Sequence, residues 1–106
     1  MNRAEVWWVD FDPSVGGEIQ KRRPAVIVSN DASNKALNRL QVVPITSKVE
    51  KLFPSEAFVT LNGEKRKAIA DQLTTVSKLR VSSRIGTLSS ADMKLIEKAI
   101  RIQLDL

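Results

Sequence analysis

Three consecutive cations, Lys21, Arg22 and Arg23, close a stretch from Pro13 to Pro24 that reads PSVGGEIQKRRP and carries one carboxylate, Glu18, beside Gly16 and Gly17. Cations at that density next to glycine hinges suit the gripping of a phosphate, because arginine's planar fork binds two phosphate oxygens and stays ionised. The sequence contains neither histidine nor cysteine. Imidazole acid–base work, thiolate attack and the commonest metal ligands are therefore excluded. RNA supplies what is missing, since its ribose 2′-hydroxyl attacks the adjacent phosphorus once a base removes the proton and cations stabilise the added negative charge. Under that chemistry Glu18 is a candidate base and the arginines are charge stabilisers. A hydroxyl such as Thr46 holds a phosphate oxygen or orders the attacking group. Glu18 could equally pair with Arg22 or Arg23 and simply hold the loop.

The elements around this stretch must place it between two strands. Glu5 to Phe11 is rich in aromatic and β-branched residues and ends at Asp12-Pro13; Ala25 to Ser29 is a short apolar run after a proline, which suits a strand covered on both faces. Asn30 to Asn38 has a cap-like start and reads as a short surface helix. Leu40 to Thr46 is a third strand whose Pro44 predicts an edge position or a bulge, with Thr46 and Ser47 at its exit. Lys48 to Pro54 reads as loop. Asn62-Gly63, between Ala57–Leu61 and Ala68–Ala70, is a hairpin signal, which assigns Lys65, Arg66 and Lys67 to a solvated tip. Leu73 to Val76 is strand or turn, Ser77 to Leu79 a helical turn, and Arg84 to Leu88 a last strand. Ser89-Ser90-Ala91-Asp92 opens an amphipathic helix along Met93, Ile96, Ala99, Ile100 and Leu104.

These elements predict a mostly β, α+β architecture: a small antiparallel barrel or curled sheet with a short surface helix and a C-terminal amphipathic helix. A length of 106 residues fits one domain over 1–106. The net charge of +5 predicts an anionic partner. No apolar run is long enough to span a membrane and the first residues lead straight into a strand, so a cytoplasmic protein is expected.

The residues also carry a resemblance. Trp7 to Pro13, Gly16, Glu18, Arg23-Pro24-Ala25-Val26, Pro44 to Ser47, Asp71-Gln72 and Ile85 to Leu88 together resemble the MazF/PemK family of toxin endoribonucleases. The resemblance implies an SH3-like barrel that forms a homodimer and cleaves single-stranded RNA, as an mRNA interferase, without cofactor or metal, leaving 2′,3′-cyclic phosphate and 5′-hydroxyl ends. It also implies a separate antitoxin chain, acidic and partly disordered, that occupies the RNA groove. Carried over by position, Arg23 and Thr46 are the catalytic pair and Glu18 matches the loop glutamate. Lys21, Arg22, Ser47, Lys48, Asp71 and Gln72 are expected to contact RNA. In some members the residue two places before the aspartate is arginine; here it is Ile69. Two rivals stand beside this reading: a CcdB-like toxin that binds gyrase without enzymatic activity, and an inactive relative that only binds RNA or antitoxin.

Overall fold

A computed structural model describes residues 1–13, 15–18 and 21–106. Ser14, Ile19 and Gln20 of the expected 13–24 loop lie outside the described residues. The described strands are β1 (Glu5–Asp10), β2 (Arg22–Ile27), β3 (Arg39–Thr46), β4 (Glu56–Leu61), β5 (Glu64–Ile69), β6 (Thr74–Ser77) and β7 (Val81–Thr87). Helix α1 (Asp31–Ala36) follows β2 and helix α2 (Ser90–Leu104) ends the chain. All strand pairs are antiparallel, in the order β4-β5-β3-β2-β1-β7, with β6 also paired to β3. The result is the expected curled half-barrel with one short and one C-terminal helix. No described helix is long and apolar enough to cross a membrane.

Strand β3 is the corner of the curl. One edge pairs with β2 through Val42, Val43 and Pro44. The opposite edge pairs with β6 from Arg39 to Val42 and with β5 only at Ile45 and Thr46. Pro44 is fully buried in this central strand, which corrects the expectation of a sheet edge. It is tolerated because it falls where the second edge changes partner, so no ladder there needs a donor from it.

Two apolar clusters sandwich the sheet. Val6, Val26, Val43, Ile45, Val59 and Leu61 pack under α2 through Met93, Ile96 and Ala99. Inside the curl, Val9, Phe11, Ala25, Ile27, Leu40, Val42 and Val76 form the second, with Trp7 against it. Helix α2 begins as predicted: Ser89 is its N-cap, its Oγ accepting the Asp92 N–H at 3.1 Å. The Asp92 carboxylate instead accepts the Thr60 N–H at 2.8 Å, tying helix to sheet. Leu95, Ile102 and Leu104 are exposed, so the buried stripe is narrower than the sequence pattern.

Two boundaries differ from the sequence reading. Strand β2 starts at Arg22 rather than Ala25, because Asp10, Val9 and Trp8 of β1 pair with Arg22, Arg23 and Pro24. Strand β7 starts at Val81, where Ser82, Ser83 and Arg84 form a polar strand at the end of the strand order. The hairpin is as predicted, with Asn62 at φ 51° and Gly63 at φ 81° between Leu61 and Glu64.

Candidate functional site

Three strand ends meet in an open groove of about 490 Å³. Strand β2 supplies Arg23, the exit of β3 supplies Thr46, Ser47 and Lys48, and β5 supplies Arg66. Trp8, Pro24, Ile45 and Ile69 are its apolar lining. Three cations and two hydroxyls thus share a cleft whose described lining contains no carboxylate. Cations above an apolar lining suit a polyanion with flat apolar parts.

Arg22 and Arg23 are neighbours on one strand, and strand alternation sends them to different places. The Arg22 guanidinium lies 5.2 Å from the Trp8 ring centroid and its Nη2 donates to Ser82 Oγ at 2.9 Å. Arg23 is exposed into the groove. Among the described residues no carboxylate forms an ion pair with Arg23 or Lys48. Thr46 Oγ1 accepts the Lys48 N–H at 3.2 Å, which turns the chain at the strand exit. Its hydroxyl hydrogen is not used by that contact.

Glu18 lies outside this groove, in a separate depression of about 210 Å³ with Phe11, Pro13, Gln72, Thr74, Thr75 and Arg80. Its Oε1 accepts the Val15 N–H at 2.6 Å and its own N–H donates to the Val15 carbonyl at 3.2 Å. Gly16, at φ +61°, closes that turn. Gln72 donates to the Gly17 carbonyl at 3.1 Å, joining the one-turn 3-10 segment Ala70–Gln72 to the loop. Asp71 is exposed on the same segment and is not part of the groove lining. Lys21 adopts φ 63°; its N–H donates to Asp12 Oδ1 at 2.8 Å, and its carbonyl accepts the Phe11 N–H. Arg80 donates to the carbonyls of Asp10 and Asp12, bracing the start of the loop. Among the described residues no group of three or more Asp or Glu side chains forms a metal-type cluster.

The Lys65-Arg66-Lys67 run is not a solvated tip. All three residues lie within β5. Lys65 sits 3.9 Å above the Phe58 ring. Arg66 lines the groove. Lys67 is buried, 3.0 Å from Glu56 Oε1, and donates to the Lys51 carbonyl at 2.8 Å. Arg66 is the charged groove residue that the sequence reading left out of the candidate site. The available signal was the Asn62-Gly63 turn, which fixes the register of β5 and hence the alternation of the three cations.

Comparison with known proteins gives the same family as the residues. The model of the PemK-like, MazF-like toxin of type II toxin-antitoxin systems matches residues 2–104. The chain is 37% identical to the endoribonuclease MazF9 of Mycobacterium tuberculosis, covering 100% of this chain and 98% of that protein. It is 35% identical to the endoribonuclease toxin MazF of Escherichia coli K12, over 93% of this chain and 89% of that one. Among solved structures, MazF from Deinococcus radiodurans superposes with a TM-score of 0.89 at 21% identity, covering 100% and 97% of the two chains. A mycobacterial endoribonuclease in complex with its cognate antitoxin superposes with a TM-score of 0.84 at 22% identity, covering 100% and 96%. A family model spanning nearly the whole chain and full-length relatives above 30% identity show the family: the chain belongs to the PemK-like, MazF-like family of type II toxin-antitoxin toxins.

Proposed function

We propose that this chain, an endoribonuclease of the MazF/PemK toxin family, cleaves single-stranded RNA in the groove between β2, β3 and β5 by 2′-hydroxyl attack on the neighbouring phosphorus. The observation that carries the reading is the groove lining itself: Arg23, Lys48 and Arg66 with Thr46 and Ser47, and no carboxylate. The 2′-hydroxyl proton passes to the base, the P–O5′ bond breaks as the P–O2′ bond forms, and the leaving 5′-oxygen takes a proton from water, giving a 2′,3′-cyclic phosphate and a 5′-hydroxyl. That chemistry needs no metal. Arg23 stabilises the charge that builds on the phosphoryl oxygens, and the Thr46 hydroxyl donates to one of them or orders the 2′-hydroxyl. Glu18 is the proposed base. Lys21, Arg22, Ser47, Lys48, Asp71 and Gln72 form the proposed RNA contacts around this centre.

The same reading makes residues 1–106 one cytoplasmic domain that works as a homodimer and is silenced by a separate acidic antitoxin. A groove lined by cations on an apolar floor suits an acidic, apolar segment as well as RNA, which supports that partner. The test incubates purified protein with a long RNA in excess EDTA and maps the 5′ ends. Site-specific cuts are expected, falling by about 10²-fold or more in Arg23→Ala and Thr46→Ala. A 2′-deoxy residue at the cut site should abolish cleavage. Intact RNA beside gyrase-linked DNA breaks would overturn the enzyme in favour of a gyrase-binding toxin.

A further inference from the structure

Arg66 enters the groove from the opposite strand to Arg23, and it does so already held. Its Nη2 donates to Glu64 Oε2 at 2.6 Å and its Nη1 to the Lys65 carbonyl at 3.1 Å. A guanidinium has five N–H donors in a fixed fork, so these two bonds set its orientation without using it up. The Glu64 side chain is 67% exposed and that of Arg66 30%. An ion pair between residues this close in sequence and this exposed contributes little stability. Structural need therefore does not explain it, whereas an RNA phosphodiester, which carries the same single charge but offers two oxygens to the fork, can displace a carboxylate held through one nitrogen.

We propose that Arg66 is a phosphate-contacting residue of this groove and that Glu64 is its exchangeable counter-ion, holding the guanidinium in place until an RNA phosphate takes over. The inference rests on the groove being the RNA site. Glu64 is then a competitor of the substrate, and removing its charge strengthens RNA binding. Arg66 shares the load with Arg23 from the other wall, so that the strand is clasped between β2 and β5 instead of resting on one side.

The test measures binding of an uncleavable 2′-deoxy-substituted RNA and single-turnover cleavage of the parent RNA, across a salt series. Arg66→Gln is expected to weaken binding roughly 10-fold and to flatten the slope of log K against log salt by about 0.7, the increment for one phosphate contact on a single strand. Arg66→Lys should restore the slope and only part of the affinity, because the charge returns without the fork. Glu64→Gln should bind several-fold tighter than the parent protein. Arg101→Gln, which removes an exposed charge from the last turn of α2, controls for net charge and should leave the slope unchanged. Equal slopes in Arg66→Gln and the parent protein, or weaker binding by Glu64→Gln, overturn the proposal while the groove reading stands. If the parent protein binds no RNA, both fall together.

Discussion

In the proposed reaction Arg23 is a charge stabiliser and not a proton donor, because its planar fork offers paired N–H donors to phosphoryl oxygens. Its value lies in the fork, and Arg23→Lys is expected to keep most RNA affinity while losing roughly 10²-fold in single-turnover rate. Cleavage by Arg23→Lys at the parent rate would show that a point charge is enough. Away from the groove, Glu5 is the residue whose proton matters. Burial pushes its carboxyl up, but the Asn2 N–H, the Trp7 indole N–H, the N-terminal ammonium and Arg84 outweigh that and hold it below its ordinary value. A depressed folded value means that the stabilisation is fully present above the unfolded value of about 4.3 and is lost as pH falls through the folded one. Urea midpoints should therefore fall on acidification below about pH 4, and Glu5→Gln should flatten part of that dependence. At this scale the sequence was most legible in its ordered motifs: Arg23-Pro24-Ala25-Val26, Pro44 to Ser47 and Asp71-Gln72 already carried the family that the comparisons show. Arg66 was hidden because EKRK reads as one block of charge until a strand sorts its members by face.

Strands and turns place these residues, and two contacts between elements decide how firmly. The Asn62 side chain donates to the Ile85 carbonyl at 3.1 Å, pinning the β4–β5 turn to β7, and a Cβ built on Gly86 would lie 2.7 Å from Asn62 Oδ1. Gly86→Ala is expected to cost about 1–3 kcal/mol, the usual range for overpacking. Combining it with Asn62→Gly should recover part of that loss, and additive losses in chemical denaturation would show that the two sites are independent. The second contact is the Lys67–Glu56 pair. Lys67→Met leaves Glu56 without its cation in a largely buried place, for an expected loss of about 3–5 kcal/mol. The Asn-Gly turn, the Ser89 cap and the short helix after Asn30 were readable because each rests on local chemistry. The start of β2 and the position of Pro44 were not. Arg22 to Pro24 become strand only because β1 lies beside them, and a proline survives in a central strand only because its outer edge passes from β6 to β5 there.

Across the whole molecule, a net charge of +5 is modest, and what matters is where acids are missing. The groove brings Arg23, Lys48 and Arg66 together with no carboxylate in its described lining, whereas a separate depression contains both Glu18 and Arg80. RNA affinity is accordingly expected to fall with salt at a log–log slope near −2, about 0.7 for each of three groove cations on a single strand. A slope near zero, measured by anisotropy with an uncleavable RNA, would mean that the cleft is not where phosphates bind. Overall charge was visible in the sequence; its sorting into a cleft lined by three cations required the register of three strands. One further consequence follows from how the segment between β3 and β4 is held. Lys67 grips it through the Lys51 carbonyl, Glu56 through the Phe53 N–H at 2.9 Å, and the Ser55 carbonyl accepts the Ala70 N–H at 3.0 Å. Every one of these grips takes hold of main chain within the segment. The backbone path of this stretch therefore rests on grips that do not depend on which side chains Val49 to Lys51 carry, which makes these positions a cassette: a part an engineer can swap while the path, and Thr46 at its start, stay put.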